Sequence, residues 1–391
     1  MLLTGSGRLA PGGPSPWAIL VEDGRIAWIG DPADAPADAN RVDLGSALVT
    51  PGLVDAHTHP VFAGDRSDEA AARLAGAPYT EGGILRTARA TRAASDEVLE
   101  SLVRDRLRAA LAAGTTTVEA KSGYGLTLDE ELRHLRILRR IAGDLPIRVV
   151  PTFLGAHAVP PETGSAAEHA RRVADEMIPT IAAEGLATFV DVFADAGFFG
   201  LDDVERIAAA AASAGMGVRL HAEQLARTGA TEAGVRLGAA SVDHLEQLDD
   251  AGVAILAGSS TVATLLPAPA VVLRSSLPPA RALLDAGATV ALASDANAGT
   301  YAGFGTMPLV VGLGATLLRM TVEEALVAAT AAGAAALRLP DVGRLEAGAV
   351  ADLVAWDAEH EGAFALRLGA VRPLRTWVGG REVTADARLL A

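Results

Sequence analysis

The sequence predicts an α/β protein: a (β/α)8 TIM barrel with a small β-sandwich domain built from both termini. Strand-like runs alternate with helical stretches eight times, both ends of the chain have the character of short β-hairpins, and nearly every run ends in a polar residue. An open doubly wound sheet is the structural alternative. The polar strand ends favour the barrel, because active sites of TIM barrels form at the carboxyl ends of the strands.

The eight predicted barrel strands are runs rich in apolar and β-branched residues. Stretches with helical periodicity separate them, and one of these begins at Ser95, a good helix N-cap, and stops at Gly114. The strands are predicted at 48–59, 115–121, 147–157, 187–195, 217–223, 240–246, 261–267 and 289–295.

Hairpin signals mark both ends of the chain. Asp23-Gly24 and Gly379-Gly380 each lie between two short apolar runs. Neither end has enough strands to be stable by itself. We therefore expect residues 1–50 and 345–391 to form one composite β-sandwich domain, and residues 51–344 to form the barrel domain.

The composition favours a small-molecule enzyme. The 391 residues carry a formal net charge of −15, which disfavours nucleic acid, and no run approaches the roughly 18 apolar residues of a membrane span. The N-terminus lacks the basic and apolar regions of a secretory signal, so we expect a cytoplasmic protein without membrane or nucleic-acid partners. Cysteine is absent, so a metal ion would be held by histidine and carboxylate.

Lys121 is the sole lysine among 33 basic residues. Coding drift that left one lysine behind is one explanation. The other is a position that requires a compact ammonium, which the planar fork of arginine cannot replace. The sequence leaves the role of Lys121 open.

Histidines at the predicted strand ends suggest a metal site. In PGLVDAHTHP, His57 and His59 are two residues apart and face the same way in an extended chain, although two surface histidines would give the same pattern. His221 ends the fifth strand, and Asp295 ends the eighth, which closes against the first. Three nitrogens and one carboxylate suit zinc or iron with a position open for water. With these four in place, Asp55 is expected to support the site rather than bind the metal.

The same strand ends carry further polar residues. Strand alternation predicts that Glu223 shares a face with His221, and His244 ends the sixth strand. The remaining histidines in helical or terminal segments are expected on the surface: His134, His169 and His360.

The motifs PGLVDAHTH, HAEQ, DHLE and SDANAGT stand at the predicted strand ends, and FAGDR, KSGYGL and FLGAH accompany them. Together they make the chain resemble the metal-dependent amidohydrolase superfamily and, more closely, the imidazolonepropionase family of histidine degradation. The resemblance spans nearly the whole chain. The HxH motif is shared by many amidohydrolases, whereas KSGYGL with FLGAH and HAEQ is more specific.

This resemblance implies hydrolysis of the cyclic amide of 4-imidazolone-5-propanoate to N-formimidoyl-L-glutamate by a metal-activated water. Glu223 would carry a proton to the leaving ring nitrogen, and His244 would orient or deprotonate the water, with Asp295 assisting as base. The metal ligands implied are His57, His59, His221 and Asp295.

The substrate of that family carries a carboxylate. By resemblance, Arg66 clamps the propanoate, helped by Tyr124 and His157. Other residues match family positions around the ring and product: Gln224, Asn297, Gly299 and Thr300.

One Zn²⁺ or Fe²⁺/Fe³⁺ per chain is expected. Relatives with paired metals bridge them through a carboxylated lysine, usually on the fourth strand, and here that strand, ATFVDVFADAG, has no lysine. The family also implies a homodimer. Two departures from the family leave substrate preference open, namely the stretch after Pro267 and a shortened loop near Tyr79.

Two other functions remain. A mononuclear aminohydrolase of a purine-like ring would use the same ligands, but it would not need a carboxylate clamp. A non-catalytic amidohydrolase-like scaffold is expected to have lost metal ligands, whereas this chain keeps the complete set.

Overall fold

The computed structural model describes residues 1–36, 40–76 and 82–383. The predicted short loop near Tyr79 lies outside these residues. Within them, the strands are β1 (Leu2–Gly5), β2 (Trp17–Glu22), β3 (Arg25–Gly30), β4 (Arg41–Asp43), β5 (Val49–Pro51), β6 (Leu53–Asp55), β7 (Thr115–Lys121), β8 (Arg148–Ala156), β9 (Phe189–Ala194), β10 (Gly217–Ala222), β11 (Ser241–His244), β12 (Val262–Leu265), β13 (Val290–Leu292), β14 (Leu353–Trp356), β15 (Pro373–Val378) and β16 (Arg381–Val383).

The helices alternate with the strands between β6 and β14. They are α1 (Ser67–Leu74), α2 (Gly82–Ala93), α3 (Asp96–Ala112), α4 (Leu128–Asp144), α5 (Ala166–Arg172), α6 (Ile178–Ala183), α7 (Leu201–Ser213), α8 (Ala230–Arg236), α9 (Asp250–Ala257), α10 (Pro267–Leu273), α11 (Ala280–Asp285), α12 (Met307–Thr316), α13 (Val322–Ala328), α14 (Ala331–Ala336) and, after β14, α15 (Ala363–Leu366). Short 3₁₀ and π-helical turns lie at Pro32–Asp34 and Val173–Met177.

Strands β6 to β13 form one parallel sheet in sequence order, which is the predicted eight-stranded barrel. The sheet closes where a parallel bridge joins Thr58 to Ala296. There the His59 amide donates to the Ala296 carbonyl at 2.9 Å, and the Asp295 amide donates to the His57 carbonyl at 3.0 Å. The closure therefore runs through the predicted metal-binding segments, so the same backbone contacts hold the barrel and the site.

The first predicted run, 48–59, divides between two sheets. Its β5 portion pairs with β14, whereas its β6 portion pairs with β7 in the barrel. Gly52 lies at the crossing, where a Cβ atom would come within 2.1 Å of the Thr116 hydroxyl. The chain thus changes sheet within a continuous apolar run, and only glycine can lie this close to Thr116.

The two ends of the chain build two four-stranded sheets, in the orders β3-β2-β1-β4 and β16-β15-β14-β5. Their inner faces share one apolar cluster, in which Trp17 and Trp377 are fully buried. Both predicted hairpin turns form, with positive φ at Asp23, Gly24, Gly379 and Gly380. The two sheets with their shared apolar cluster confirm the predicted sandwich from both termini. Neither sheet could bury its apolar face alone.

Capping and amphipathic patterns place the outer helices. The Ser95 side chain accepts from the Val98 amide at the start of α3, and Gly114 follows the helix with φ +88°. Helix α4 buries Leu135, Leu138 and Ile141 in the main core around the barrel. In the part of the chain that the structure describes, no helix is long and apolar enough to cross a bilayer.

Candidate metal centre and active-site cavity

The predicted ligands converge at the carboxyl end of the barrel. The Nε2 atoms of His57, His59 and His221 lie 3.1, 3.3 and 3.4 Å from one another, and Asp295 Oδ1 lies 3.5 and 3.4 Å from the Nε2 atoms of His57 and His59. All four side chains are buried. The barrel thus brings together residues from its first, fifth and eighth strands.

These distances fit a metal ion. A tetrahedral zinc site with ligand distances of about 2.0–2.1 Å has edges of about 3.3–3.4 Å between its ligand atoms. Burial, together with the nearby charge of Lys121, lowers the pKa of His57 well below 6.5, so its ring is neutral. Lone pairs of ring nitrogens that face one another in a buried site repel unless a proton or a metal ion lies between them, so the cluster supports a metal cofactor.

Buried carboxylates orient two of these rings. His57 Nδ1 lies 2.7 Å from Asp243 Oδ2, which also accepts from Arg219 at 2.9 Å, and His221 Nδ1 lies 3.1 Å from Asp191 Oδ1. With the proton on Nδ1, each ring directs its Nε2 lone pair at the centre of the cluster. The sequence analysis did not identify Asp191 and Asp243 as site residues. A lone carboxylate within an apolar strand run, as in FVDVF and SVDH, could have indicated them.

Asp295 remains ionised beside the histidines. Burial opposes its ionisation, but the hydrogen bond from His59 and the charge of His244 outweigh burial and lower the pKa of Asp295 below 3.8. Asp55 does not join the ligands. It accepts from the Ser294 amide at 2.9 Å and hydroxyl at 2.6 Å, which ties β6 to the segment after β13. This contact fits its predicted supporting position.

His244 lies at the edge of the cluster. Its Nδ1 is 3.4 Å from Glu246 Oε1, and its Nε2 is 4.0 Å from Asp295 Oδ2. Burial would lower the pKa of His244, but the Glu246 and Asp295 charges more than compensate and raise it to about 9. The side chain can also be grouped with His57 and His221 as a potential ligand set. Its position beside the ligands, with a proton to donate, suits acid–base chemistry.

Strained backbone directs several of these side chains. Glu223, His244 and Asp295 have φ of +56°, +85° and +47°, in the left-handed region that non-glycine residues seldom adopt. Such conformations concentrate at functional sites, where surrounding structure compensates the strain. Each follows or ends a barrel strand, so simple strand alternation does not apply at these residues.

Glu223 is not among the residues that line the cavity, whereas His221 is. Strand β10 ends at Ala222, and Glu223 has a positive φ, so its carboxylate has partners in the loop that follows. It accepts there from the Thr231 hydroxyl at 2.6 Å, the Gly229 amide at 3.1 Å and Arg227. Gln224 faces the cavity instead.

A small cavity opens beside the cluster. Its aromatic wall includes His157, whose ring stacks on His59 with centroids 5.2 Å apart and whose Nδ1 donates to the Gly123 carbonyl at 2.8 Å. Tyr124 packs on His157 at 5.1 Å. The lining residues are His59, Arg66, Ile84, Tyr124, His157, Phe193, His221, Gln224, His244, Asp295, Asn297 and Thr300. Ile84 and Phe193 were missed, since apolar residues carry no chemical signal.

Arg66 brings a buried guanidinium to this cavity. Its Nε and Nη2 donate to Glu69 at 2.8 and 2.6 Å, and only 4% of the residue is exposed. A Cβ atom on Gly83 or Gly299 would come within 1.8 or 2.1 Å of the guanidinium. Gly299 does not line the cavity beside the metal ligands; it leaves room for Arg66.

Asn297 and Thr300 organise the loop after Asp295. The Asn297 Oδ1 accepts from the amides of Gly299 and Thr300, and its Nδ2 donates to the Thr300 hydroxyl and the Asp295 carbonyl, both at 2.6 Å. Both side chains also face the cavity. The two residues therefore fix the shape of this wall as well as contributing to it.

The surface prediction for the other histidines is wrong for two of them. His134 and His169 are fully buried, whereas the His360 side chain is 64% exposed. His134 lies on the apolar face of α4, and His169 Nε2 donates to the Gly155 carbonyl at 2.9 Å. Both are core histidines away from the metal cluster.

The Amidohydrolase family matches residues 48–383, and the chain belongs to this family. Its curated relatives narrow the class further. An imidazolonepropionase of Pseudomonas putida is 46% identical over 94% of both proteins, one of Salinispora tropica is 48% identical over 90% of this chain and 88% of its own, and one of Nocardia farcinica is 44% identical over 97% of both.

Solved structures agree with the fold. A 5-methylcytosine deaminase of Klebsiella pneumoniae has a TM-score of 0.80 at 19% identity, covering 98% of both chains. An N-isopropylammelide isopropylaminohydrolase of Burkholderia multivorans has a TM-score of 0.76 at 24% identity, also covering 98% of both. At these identities the likeness concerns the barrel and its small sandwich rather than the substrate.

Proposed function

We propose that this chain hydrolyses the cyclic amide of 4-imidazolone-5-propanoate to N-formimidoyl-L-glutamate in histidine degradation. The observation that carries the proposal is identity of 44–48% to imidazolonepropionases over 90–97% of this chain. The histidine and aspartate cluster supplies the matching chemistry, since metal-dependent hydrolysis of an amide needs such a site.

In this proposal, His57, His59, His221 and Asp295 hold one zinc or iron ion per chain. Three imidazoles and a carboxylate suit both metals. The ion would act as a Lewis acid that makes water nucleophilic at neutral pH. A bridge between two metals would need a carboxylated lysine, and the sole lysine, Lys121, pairs as an ammonium with Glu119 and Asp191, which supports one ion rather than two.

The cavity walls suit a substrate with a ring and a carboxylate. Arg66 would bind the propanoate through charge-assisted hydrogen bonds, beside Tyr124 and His157 on the aromatic wall. The buried Arg66 guanidinium shares the Glu69 carboxylate with Arg73. Gln224, Asn297 and Thr300 would contact the ring and product, and Gly299 would act through Arg66.

Two groups are placed to move protons. His244 carries a proton near the cluster and would orient the water or protonate the leaving nitrogen, and the ionised Asp295 would accept the proton of the water. Glu223 would be the proton shuttle, and its carboxylate would exchange its hydrogen bonds from Thr231 and Gly229 for one with the substrate. Substitution of Glu223 by glutamine tests that role.

The direct test supplies freshly made 4-imidazolone-5-propanoate to metal-loaded protein and follows N-formimidoyl-L-glutamate by mass spectrometry. We expect metal-dependent turnover. Ammonia release from purine or pyrimidine bases without this turnover would favour the aminohydrolase, and no turnover of any of these substrates would favour the scaffold.

The same proposal includes a homodimer and a cytoplasmic location, both implied by the family. Light scattering of the purified protein tests the first. A mass equal to one chain, 39.8 kDa, would contradict it.

A further inference from the structure

The barrel interior contains a buried ion cluster below the metal site. Lys121 Nζ lies 2.8 Å from Glu119 Oε1 and 2.8 Å from Asp191 Oδ2, and the three side chains are fully buried. Buried charges are costly unless they are paired. The sole lysine of the chain therefore holds together two carboxylates from the second and fourth barrel strands.

Asp191 links this ion cluster to His221. The Asp191 carboxylate uses Oδ2 for the ammonium and Oδ1 for His221 Nδ1, at 3.1 Å. The ammonium keeps the carboxylate in place as an acceptor, and that acceptor keeps the proton of His221 on Nδ1. Nε2 of His221 is thereby left to face the metal cluster.

Glu119 links the same ion cluster to the segment that carries His57 and His59. The Thr58 amide donates to Glu119 Oε2 at 3.1 Å, and the Thr58 hydroxyl donates to the Glu119 carbonyl at 2.6 Å. The Lys121 amide in turn donates to the Thr58 carbonyl at 3.0 Å. The residue between the two histidines is thus fixed to the strand that bears Lys121.

We propose that Lys121 is a positioning residue for the metal centre, which acts through Asp191 on His221 and through Glu119 on the His57–His59 segment. This inference rests on the proposed metal site. It also explains the single lysine: a compact ammonium contacts one oxygen of each carboxylate, whereas the planar fork of arginine needs a wider gap.

The test measures metal affinity by competition with a chelator, at a temperature where every variant is folded by circular dichroism. We expect K121M to raise the metal dissociation constant about 10- to 100-fold, the range for residues that support metal ligands. T115V is the matched control: Thr115 begins the strand that Lys121 ends, roughly 20 Å away, and its buried hydroxyl has no hydrogen-bond partner among the described residues. We expect T115V to bind metal like the wild type.

A double-mutant cycle tests the route through Asp191. If Lys121 acts through Asp191, K121M weakens metal binding much less in the D191N background than in the wild type. The same factor in both backgrounds, or unchanged affinity in folded K121M, would overturn the inference. If K121M does not fold, the metal affinity of D191N alone tests the inference, and an unchanged affinity in D191N would also overturn it. Failure of the wild-type protein to bind metal would instead refute the proposed function.

The visible spectrum of the Co²⁺-substituted protein gives a readout that does not depend on the folding stability of the variants. A change in ligand orientation alters band positions and intensities at full metal occupancy. We expect altered bands in K121M and wild-type bands in T115V. Identical spectra in all three proteins would show that Lys121 does not position the ligands.

Discussion

Removal of the Arg66 guanidinium tests the carboxylate clamp. Arg66 already donates to Glu69, and we assign the proposed clamp one charge-assisted hydrogen bond to the substrate carboxylate. Such a bond contributes roughly 1.5–3 kcal/mol, which corresponds to a loss of about 13- to 160-fold in kcat/KM. We expect R66A to lose activity within this range, mainly through KM.

The assay compares the propanoate substrate with its propanamide analogue, which keeps the ring but lacks the charge. R66A should lose most of the preference for the propanoate, because the positive charge that recognises it is absent. R86A is the control, since Arg86 pairs with Asp68 at the surface and is 45% exposed in its side chain. Equal losses on both substrates, or unchanged kcat/KM, would remove Arg66 from substrate recognition.

Three other variants test the proton-transfer groups and the buried core. We expect E223Q to keep kcat within about tenfold while melting at a lower temperature, because Glu223 is bonded to Thr231 and does not line the cavity; a loss above 100-fold at unchanged melting temperature would support its shuttle role. We expect H244N to lose about 10²–10⁴ in kcat at unchanged metal content, and a drop in metal content would make His244 a ligand. Burial lowers the pKa of His134 to about 3, so between pH 6.5 and 3 the unfolded chain takes up a proton that the folded chain excludes, and the free energy of unfolding falls by about 1.4 kcal/mol per pH unit. In urea titrations at pH 7 and 5, H134L should lose less stability than the wild type, and parallel losses would refute this.

The barrel was predictable because its strands are buried on both faces and end in polar residues. The predicted run 115–121 coincides with β7, and the other runs match to within a few residues. The division of 48–59 between two sheets was not predictable, because apolar residues suit both environments and only the crowding at Gly52 marks the change.

The site was predictable in its ligands and less so in their surroundings. His57 and His59 can be recognised by their spacing, whereas the orientation of Glu223 depends on a positive φ that no alternation rule anticipates. A histidine in a helical segment is expected on the surface, but His134 lies on the buried face of α4. Asp191 and Asp243 can be picked out as lone carboxylates in apolar runs, but their partners, His221 and His57, follow only from the barrel topology.

The proposed function depends on one metal ion, held by the histidine and aspartate cluster, that makes this chain a hydrolase of a cyclic amide. Titration of metal-stripped protein with Zn²⁺ or Fe²⁺ is the decisive experiment, with N-formimidoyl-L-glutamate formation as the readout. We expect no activity without metal and a linear rise to a plateau at one equivalent per chain. Full activity of the stripped protein, or a plateau at two equivalents, would contradict the proposal.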